Sequence, residues 1–328
     1  MRRTIISVAV AGALVLAACG TEASGSANGK YLRYAYDPGS TLDYEVETVL
    51  MADISADGAM AGLMDMSMNI GLEQAVTYSI AEGPTPGTIE LTLHQTILNG
   101  SGSVTGLGTT EFLSPADLGV TEMEVRMVID ELGNLVEAEF DGQAVPLELL
   151  GGVGGFGTDA FTQPQHSGPA FPDFPVDVGD VWKTDDEFSG FGFDMRQKGE
   201  HELVEVSELE GRRVMVIESE VTMEKMTMTL SDILAMAAAD FTADATAQAE
   251  TDAAMEMFET TGADMKMVIE ETVMTMTTWF DDAEGVVVRS DLDFPMVMVI
   301  EMSGIPDLPG GISLTMQMDL AQTSVLAG

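Results

Sequence analysis

Met64-Asp65-Met66-Ser67-Met68-Asn69-Ile70-Gly71-Leu72-Glu73-Gln74-Ala75-Val76-Thr77-Tyr78-Ser79-Ile80 alternates along nearly its whole length. Met64, Met66, Met68, Ile70, Leu72, Val76, Tyr78 and Ile80 share one parity, while Asp65, Ser67, Asn69 and Glu73 take the other. A period of two puts apolar side chains on one face and polar ones on the opposite face, as in antiparallel sheets with one side in water. The stretch is therefore predicted as one half-buried strand, or two joined by a kink near Gly71.

The same pattern extends on both sides. Residues 42–54 place Leu42, Tyr44, Val46 and Thr48 on one face, and residues 88–98 do so with Ile89, Leu91, Leu93 and Ile97. After a loop at 99–119, Met123, Val125, Met127 and Ile129 alternate again. Asp130-Glu131-Leu132-Gly133-Asn134 then reads as a hairpin turn into 135–140. The pattern stops at Gly151-Gly152-Val153-Gly154-Gly155-Phe156-Gly157, followed by Pro164, Pro169, Pro172 and Pro175, a linker by composition.

The second half resembles the first. Val178-Gly179-Asp180-Val181-Trp182 stands where Pro38-Gly39-Ser40-Thr41-Leu42 stood. Strands are predicted over 201–206, 213–219 and 221–230, and 267–280 turns through Asp281-Asp282-Ala283-Glu284-Gly285 into 286–292. Residues 296–302 and 313–320 add further strands. One segment departs from this period. From Ser231, a plausible N-cap, Ile233, Leu234, Ala237, Ala238, Phe241 and Ala245 recur at helical spacing. The expected fold is mainly β (α+β): two duplicated antiparallel units of long amphipathic strands, with a helical insertion at about 231–260 covering a sheet face. The expected units are 31–150 and 175–328, joined by a linker at 151–174.

Composition limits the partners. Asp and Glu number 55 against 13 Lys and Arg, for a formal net charge of −42. Such a field repels nucleic acid and anionic lipid headgroups, and it draws nonspecific divalent cations. Charge alone would suggest disorder, but 45% of the residues are hydrophobic and they are periodic, so the chain is expected to fold. Acid excess of this kind also suits a salt-adapted extracellular surface.

The chain begins with Arg2 and Arg3, an apolar run over 4–18, and small residues closing on Cys19, the only cysteine. The run is short for a membrane span and fits an export signal. Leu16-Ala17-Ala18-Cys19 resembles a bacterial lipobox. The resemblance implies a signal peptide at 1–18, removal before Cys19, and acyl chains on Cys19. The mature protein would then be anchored to a membrane of the bacterial cell envelope, on its extracytoplasmic side. Residues 19–30, rich in Gly, Ser and small polar residues, make a flexible tether.

No pattern points to catalysis or a cofactor. Gly152-x-Gly154-x-x-Gly157 matches the dinucleotide fingerprint in letters, but no helical pattern follows it. Asp53-x-Ser55-x-Asp57-Gly58 starts like a calcium loop, yet its twelfth position is Met64 rather than Glu. His94, His166 and His201 are scattered, and His94 stands at the solvent parity of its strand. Methionine is the compositional oddity, with 25 residues and repeated Met-x-Met pairs. Thioethers can ligate Cu(I). These pairs instead continue rows of Ile, Val and Leu, with no His or Cys among them, which fits a pliable apolar interior. The candidate lining is Met64, Met66, Met68, Ile70, Met226, Met228, Phe241, Met274 and Met276.

Lipobox, polar tether, amphipathic strands, strand–Asp-to-Gly–strand turns and a covering helix together resemble bacterial envelope lipoproteins with LolA- or LppX/LprG-like folds. The Val178-Gly179-Asp180-x-Trp182 opening also resembles uncharacterised lipoproteins that share it. The resemblance implies a curved sheet that holds acyl chains, hence a non-enzymatic protein that binds a hydrophobic ligand. The alternatives are a structural or assembly lipoprotein with an acidic docking surface and no cavity, and a Cu(I)-binding protein.

Overall fold

The computed structural model describes residues 29–58, 65–106, 109–113, 123–140, 143–145, 169–190, 193–229, 264–304 and 311–327. Cys19, Met64, Phe241 and the helical pattern at 231–260 lie outside these residues. Among the described residues there is no helix, and they form an all-β structure rather than an α+β one.

Among the described residues fifteen strands join one antiparallel sheet. The first half contributes β1 (Thr41–Gly58), β2 (Met66–Glu82), β3 (Thr88–Gly106), β4 (Thr109–Leu113), β5 (Met123–Asp130), β6 (Leu135–Phe140) and β7 (Gln143–Val145). The second contributes β8 (Val181–Gly190), β9 (Phe193–Leu209), β10 (Arg212–Met223), β11 (Met226–Thr229), β12 (Asp264–Ile269), β13 (Thr272–Asp281), β14 (Val286–Ser303) and β15 (Ile312–Leu326). The spatial order is β7-β6-β5-β3-β2-β1-β15-β14-β13-β10-β9-β8. Along this path each half is a meander of six strands, with β4 pairing to β3, β12 to β14 and β11 to β12 off it. The β1–β15 ladder, running from Tyr44↔Leu326 to Gly58↔Ile312, welds the two into one sheet. The halves also open alike. Gly39 N–H donates to Ile80 O (2.7 Å) and Ile80 N–H to Ser40 O (3.1 Å); Gly179 and Leu203, with Asp180, repeat both bonds at the same lengths.

The opening stretch is one strand. β2 runs through Gly71 without interruption, and the irregularity falls beyond it, where Glu73 pairs with Asn99 but Gln74 pairs with Ile97. The extra residue is Leu98, exposed on β3. Because side chains alternate with a period of two, one inserted residue reverses the parity beyond it. Before the bulge the odd-numbered Leu91 and Leu93 share the buried face with Ile80 and Tyr78, and beyond it the even-numbered Gly100 and Gly102 stand opposite the buried Leu72 and Ile70.

The sheet curls. The β5–β6 turn and the β13–β14 turn are about six strand steps apart, so a flat sheet would hold them roughly 29 Å apart. Yet Tyr34 N–H donates to Glu131 O (2.9 Å) in the first turn, and the next amide, Ala35, donates to Gly285 O (3.1 Å) in the second. Consecutive Cα atoms are only about 3.8 Å apart, so the two turns must approach each other around residues 29–36. This segment bridges to Val176 through paired Lys30–Val176 backbone bonds of 2.8 Å. Leu32, Tyr34, Phe171, Val176, Trp182 and Phe280 pack there as a buried cluster. Tyr34, Phe171 and Phe280 pack as a triangle of rings, with centroids 4.6 Å (Tyr34–Phe171), 4.7 Å (Phe171–Phe280) and 5.6 Å (Tyr34–Phe280) apart. Gly133, at φ +87°, has no room for a side chain, since a Cβ would sit 2.5 Å from Tyr34 Cε2. The aromatic plug therefore closes this end of the curl.

The two faces have opposite chemistry. Tyr44, Val46, Leu50 and Ala52 of β1 are buried, whereas Glu45, Glu47, Asp53 and Asp57 of the same strand are exposed. Glu200, Glu202, Glu205, Glu218, Glu220, Asp293 and Asp319 continue the acidic outward face.

Candidate functional site: the inward face

Register brings the methionines together at the end opposite the plug. Met66, Ile54, Met316, Met298, Ile269 and Met226 stand opposite one another in turn across β2, β1, β15, β14, β12 and β11. The neighbouring row is Met68, Ala52, Met318 and Met296. Met226, Met228, Met296, Met298 and Met318 are buried in one cluster, with Met68, Met267 and Met316 partly buried against it. Unbranched thioether side chains adapt to irregular shapes, and here eight of them do so in one place.

The predicted lining residues separate into groups. Met68, Ile70, Met226 and Met228 belong to this cluster. Met66 lies at its margin, 39% exposed. Met274 and Met276 sit on β13 opposite Val221 and Ser219, partly buried and outside the cluster. Met296, Met298, Met316 and Met318 were visible as Met-x-Met pairs, but nothing local indicated that β14 and β15 would set them between Met68 of β2 and Met226 of β11.

A second feature escaped sequence reasoning. Between the methionine cluster and the plug end, the inward face turns polar on strand after strand. Gln95 (β3), Gln74 (β2), Thr48 (β1), Ser324 (β15), Ser290 (β14), Thr278 (β13), Ser219 (β10) and His201 (β9) are all buried. Each lies one step beyond an apolar neighbour of the plug-end half: Leu93, Val76, Val46, Leu326, Val288, Phe280, Ile217 and Leu203. The only signal in the sequence was a polar residue at the apolar parity, as at Gln74 between Leu72 and Val76.

This polar band is satisfied at one end and not at the other. His201 is held on both nitrogens, Nδ1 with Ser219 Oγ at 2.8 Å and Nε2 with Thr184 Oγ1 at 3.3 Å, and its ring stacks on Trp182 at 5.5 Å. Burial pushes its pKa from 6.5 down to about 4, against the opposing pull of Glu200, so it is neutral near pH 7. Gln74 and Gln95, 1% and 2% exposed, have neither amide nitrogen nor oxygen paired, and the hydroxyls of Thr48 and Thr278 are also unpaired. Leaving a buried polar group unpaired costs about 1–3 kcal/mol. Such groups call for a partner.

The cations lie elsewhere. Every Lys and Arg after Arg3 is described, and each pairs with a carboxylate on the outward face, at a turn or on the plug. Arg126, for instance, contacts Glu90, Glu137 and Glu139 at 2.7–3.1 Å. On the outward face an open groove of about 460 Å³ is lined by Glu47, Val49, Thr275, Thr277, Asp293 and Thr323, among others. Among the described residues no group of three His, Cys, Asp or Glu is placed to hold a metal ion.

No protein-family model matches this chain, and no curated protein matches it. Among solved structures, an outer membrane channel from Pseudomonas putida F1 is similar over 93% of this chain and 100% of its own, with 6% identity and a TM-score of 0.25. Pseudomonas aeruginosa OccK7 (OpdD) is similar over 88% and 100%, with 5% identity and a TM-score of 0.21. Likeness at this level says nothing of what the chain does.

Proposed function

We propose that this chain is a non-catalytic, membrane-anchored lipoprotein of the cell envelope that binds a hydrophobic ligand with acyl chains inside the curled sheet. The observation that carries the reading is the convergence of eight methionines from five strands onto one inward surface. A lipid-spanning barrel would need an apolar outward band about 25 Å tall. Here the outward positions carry Glu45, Glu47, Asp53, Glu202 and Glu218, so the apolar face serves the interior. The Leu16-Ala17-Ala18-Cys19 motif supports attachment through Cys19. The common strand order and the matched Gly39 and Gly179 openings support reading the sheet as a duplicated unit.

The test is direct. Protein purified from its own membrane is examined by native mass spectrometry, then delipidated and titrated with a fluorescent fatty-acid analogue. Co-purified lipid and saturable uptake are expected, with chain-length preference altered in Met226→Ala/Met298→Ala. Cys19→Ala should stay unlabelled by radioactive palmitate and leave the membrane fraction. No uptake by the delipidated protein, with Met228→Ala costing the full ~2–5 kcal/mol of a packed core residue, would favour a filled structural sheet. Stoichiometric Cu(I) binding that is lost on the same methionine changes would favour a metal role.

A further inference from the structure

The ligand-binding reading leaves open the head group, and the polar band addresses it. Gln74 and Gln95 lie on adjacent strands, with Gln95 opposite Val76 and Gln74 two residues before it. Thr48 follows diagonally on β1, since Gln74 pairs with Val46. On strands β1 and β2 the methionine-cluster residues Leu50 and Leu72 come immediately next on the same face. A chain running along the strands from the methionine cluster toward the plug would therefore meet the two amides.

Each glutamine amide offers two donors and an acceptor oxygen, a set that satisfies a carbonyl, hydroxyl, ester or amide. It supplies no counter-charge. Among the described residues no other group supplies one either. All lysines and arginines after Arg3 are committed to carboxylates elsewhere, and residues 230–263 contain none. His94 is exposed, and His201 is occupied by Ser219 and Thr184. A carboxylate or phosphate brought inside would be desolvated without a partner, in a protein whose net charge of −42 already repels it.

Resting on the acyl-ligand reading, we infer that Gln74 and Gln95, with Thr48, receive the uncharged head group of the ligand. The protein then takes neutral amphiphiles, such as fatty amides, fatty alcohols or glycerol esters, in preference to fatty-acid anions or phospholipids.

The test compares dodecanamide, dodecanol and laurate as competitors of a bound fluorescent apolar probe, at a mildly alkaline pH where laurate is ionised. Wild-type protein should prefer dodecanamide over laurate by roughly tenfold or more, the ratio that one well-made hydrogen bond can supply. Gln74→Met/Gln95→Met, which keeps size and removes the amides, should still bind the probe but lose most of that preference. Its unliganded melting temperature should hold or rise, because two unpaired polar groups have gone. Laurate binding as tightly as the amide, or a preference that survives the double change, overturns the head-group assignment and leaves acyl binding standing. A lower melting temperature in the double variant also overturns it, by showing that the amides serve the fold. Failure of the wild type to take up the probe at all would instead remove the ligand-binding reading.

Discussion

Acidification tests the satisfied end of the polar band. His201 is buried between Trp182, Ser219 and Thr184, and burial lowers its pKa from 6.5 to about 4. In the unfolded chain the imidazole takes up a proton as the pH falls through 6.5, whereas in the folded chain it stays neutral until about pH 4. Between those values the unfolded state binds the extra proton, so this contribution to stability is whole above pH 6.5 and falls as the pH is lowered toward 4. At 1.36 kcal/mol per pKa unit, lowering the pH from about 7 to about 5 should remove about 2 kcal/mol. The carboxylates act in the opposite direction, because protonating some of them relieves repulsion across a chain of charge −42. Urea denaturation of wild type and His201→Gln at both pH values separates the two effects, since the carboxylate effect is common to both proteins. Wild type should lose about 2 kcal/mol more than the variant over this range. An equal change in both proteins would refute the neutral, buried imidazole and with it the dry interior on which the polar band depends.

Other parts of the sheet give sharper single-site tests. Gly211→Ala, at φ +82° in open space, should cost only the left-handed backbone strain of about 1–2 kcal/mol in urea denaturation. Gly285→Ala, at φ +68° with its Cβ directed onto the backbone of Ala35, should cost clearly more, because the plug must move. Equal costs would show that residues 29–36 do not seal the turns. The melting temperature should rise from low to molar NaCl, since salt shortens the screening length from about 10 Å at 0.1 M to about 3 Å at 1 M. A flat response would mean that bound cations already neutralise the outward acids.

Much of this architecture was legible in local sequence. Met66–Ile80 announced its strand and its buried face, because side-chain alternation is a property of each strand alone. The Asp130–Gly133 and Asp281–Gly285 turns were equally plain. In both, the Asp Oδ1 accepts amide protons from residues just ahead of it: Leu132 and Asn134 in one turn, Ala283 and Glu284 in the other. His94 was placed on the solvent side by parity alone, and it is exposed.

What needed the tertiary structure was everything set by register and closure. No local signal tells that β1 pairs with β15, yet that ladder joins the two halves and aligns Met68, Ala52, Met318 and Met296 in one row. The Leu98 bulge shifts parity in the middle of β3, so reading that strand as one unbroken alternation misplaces its far end. Residues 29–36 and 169–176 carry little periodicity, and their place as a plug follows from the two turns they hold together. Gln95, Gln74, Thr48, Thr278 and His201 each look like an isolated exception in their own strand. They become one polar band only when long-range pairing fixes their heights along the sheet. Strand alternation is set by steric rules within a few residues, whereas pairing partners and height depend on contacts between segments far apart in the chain.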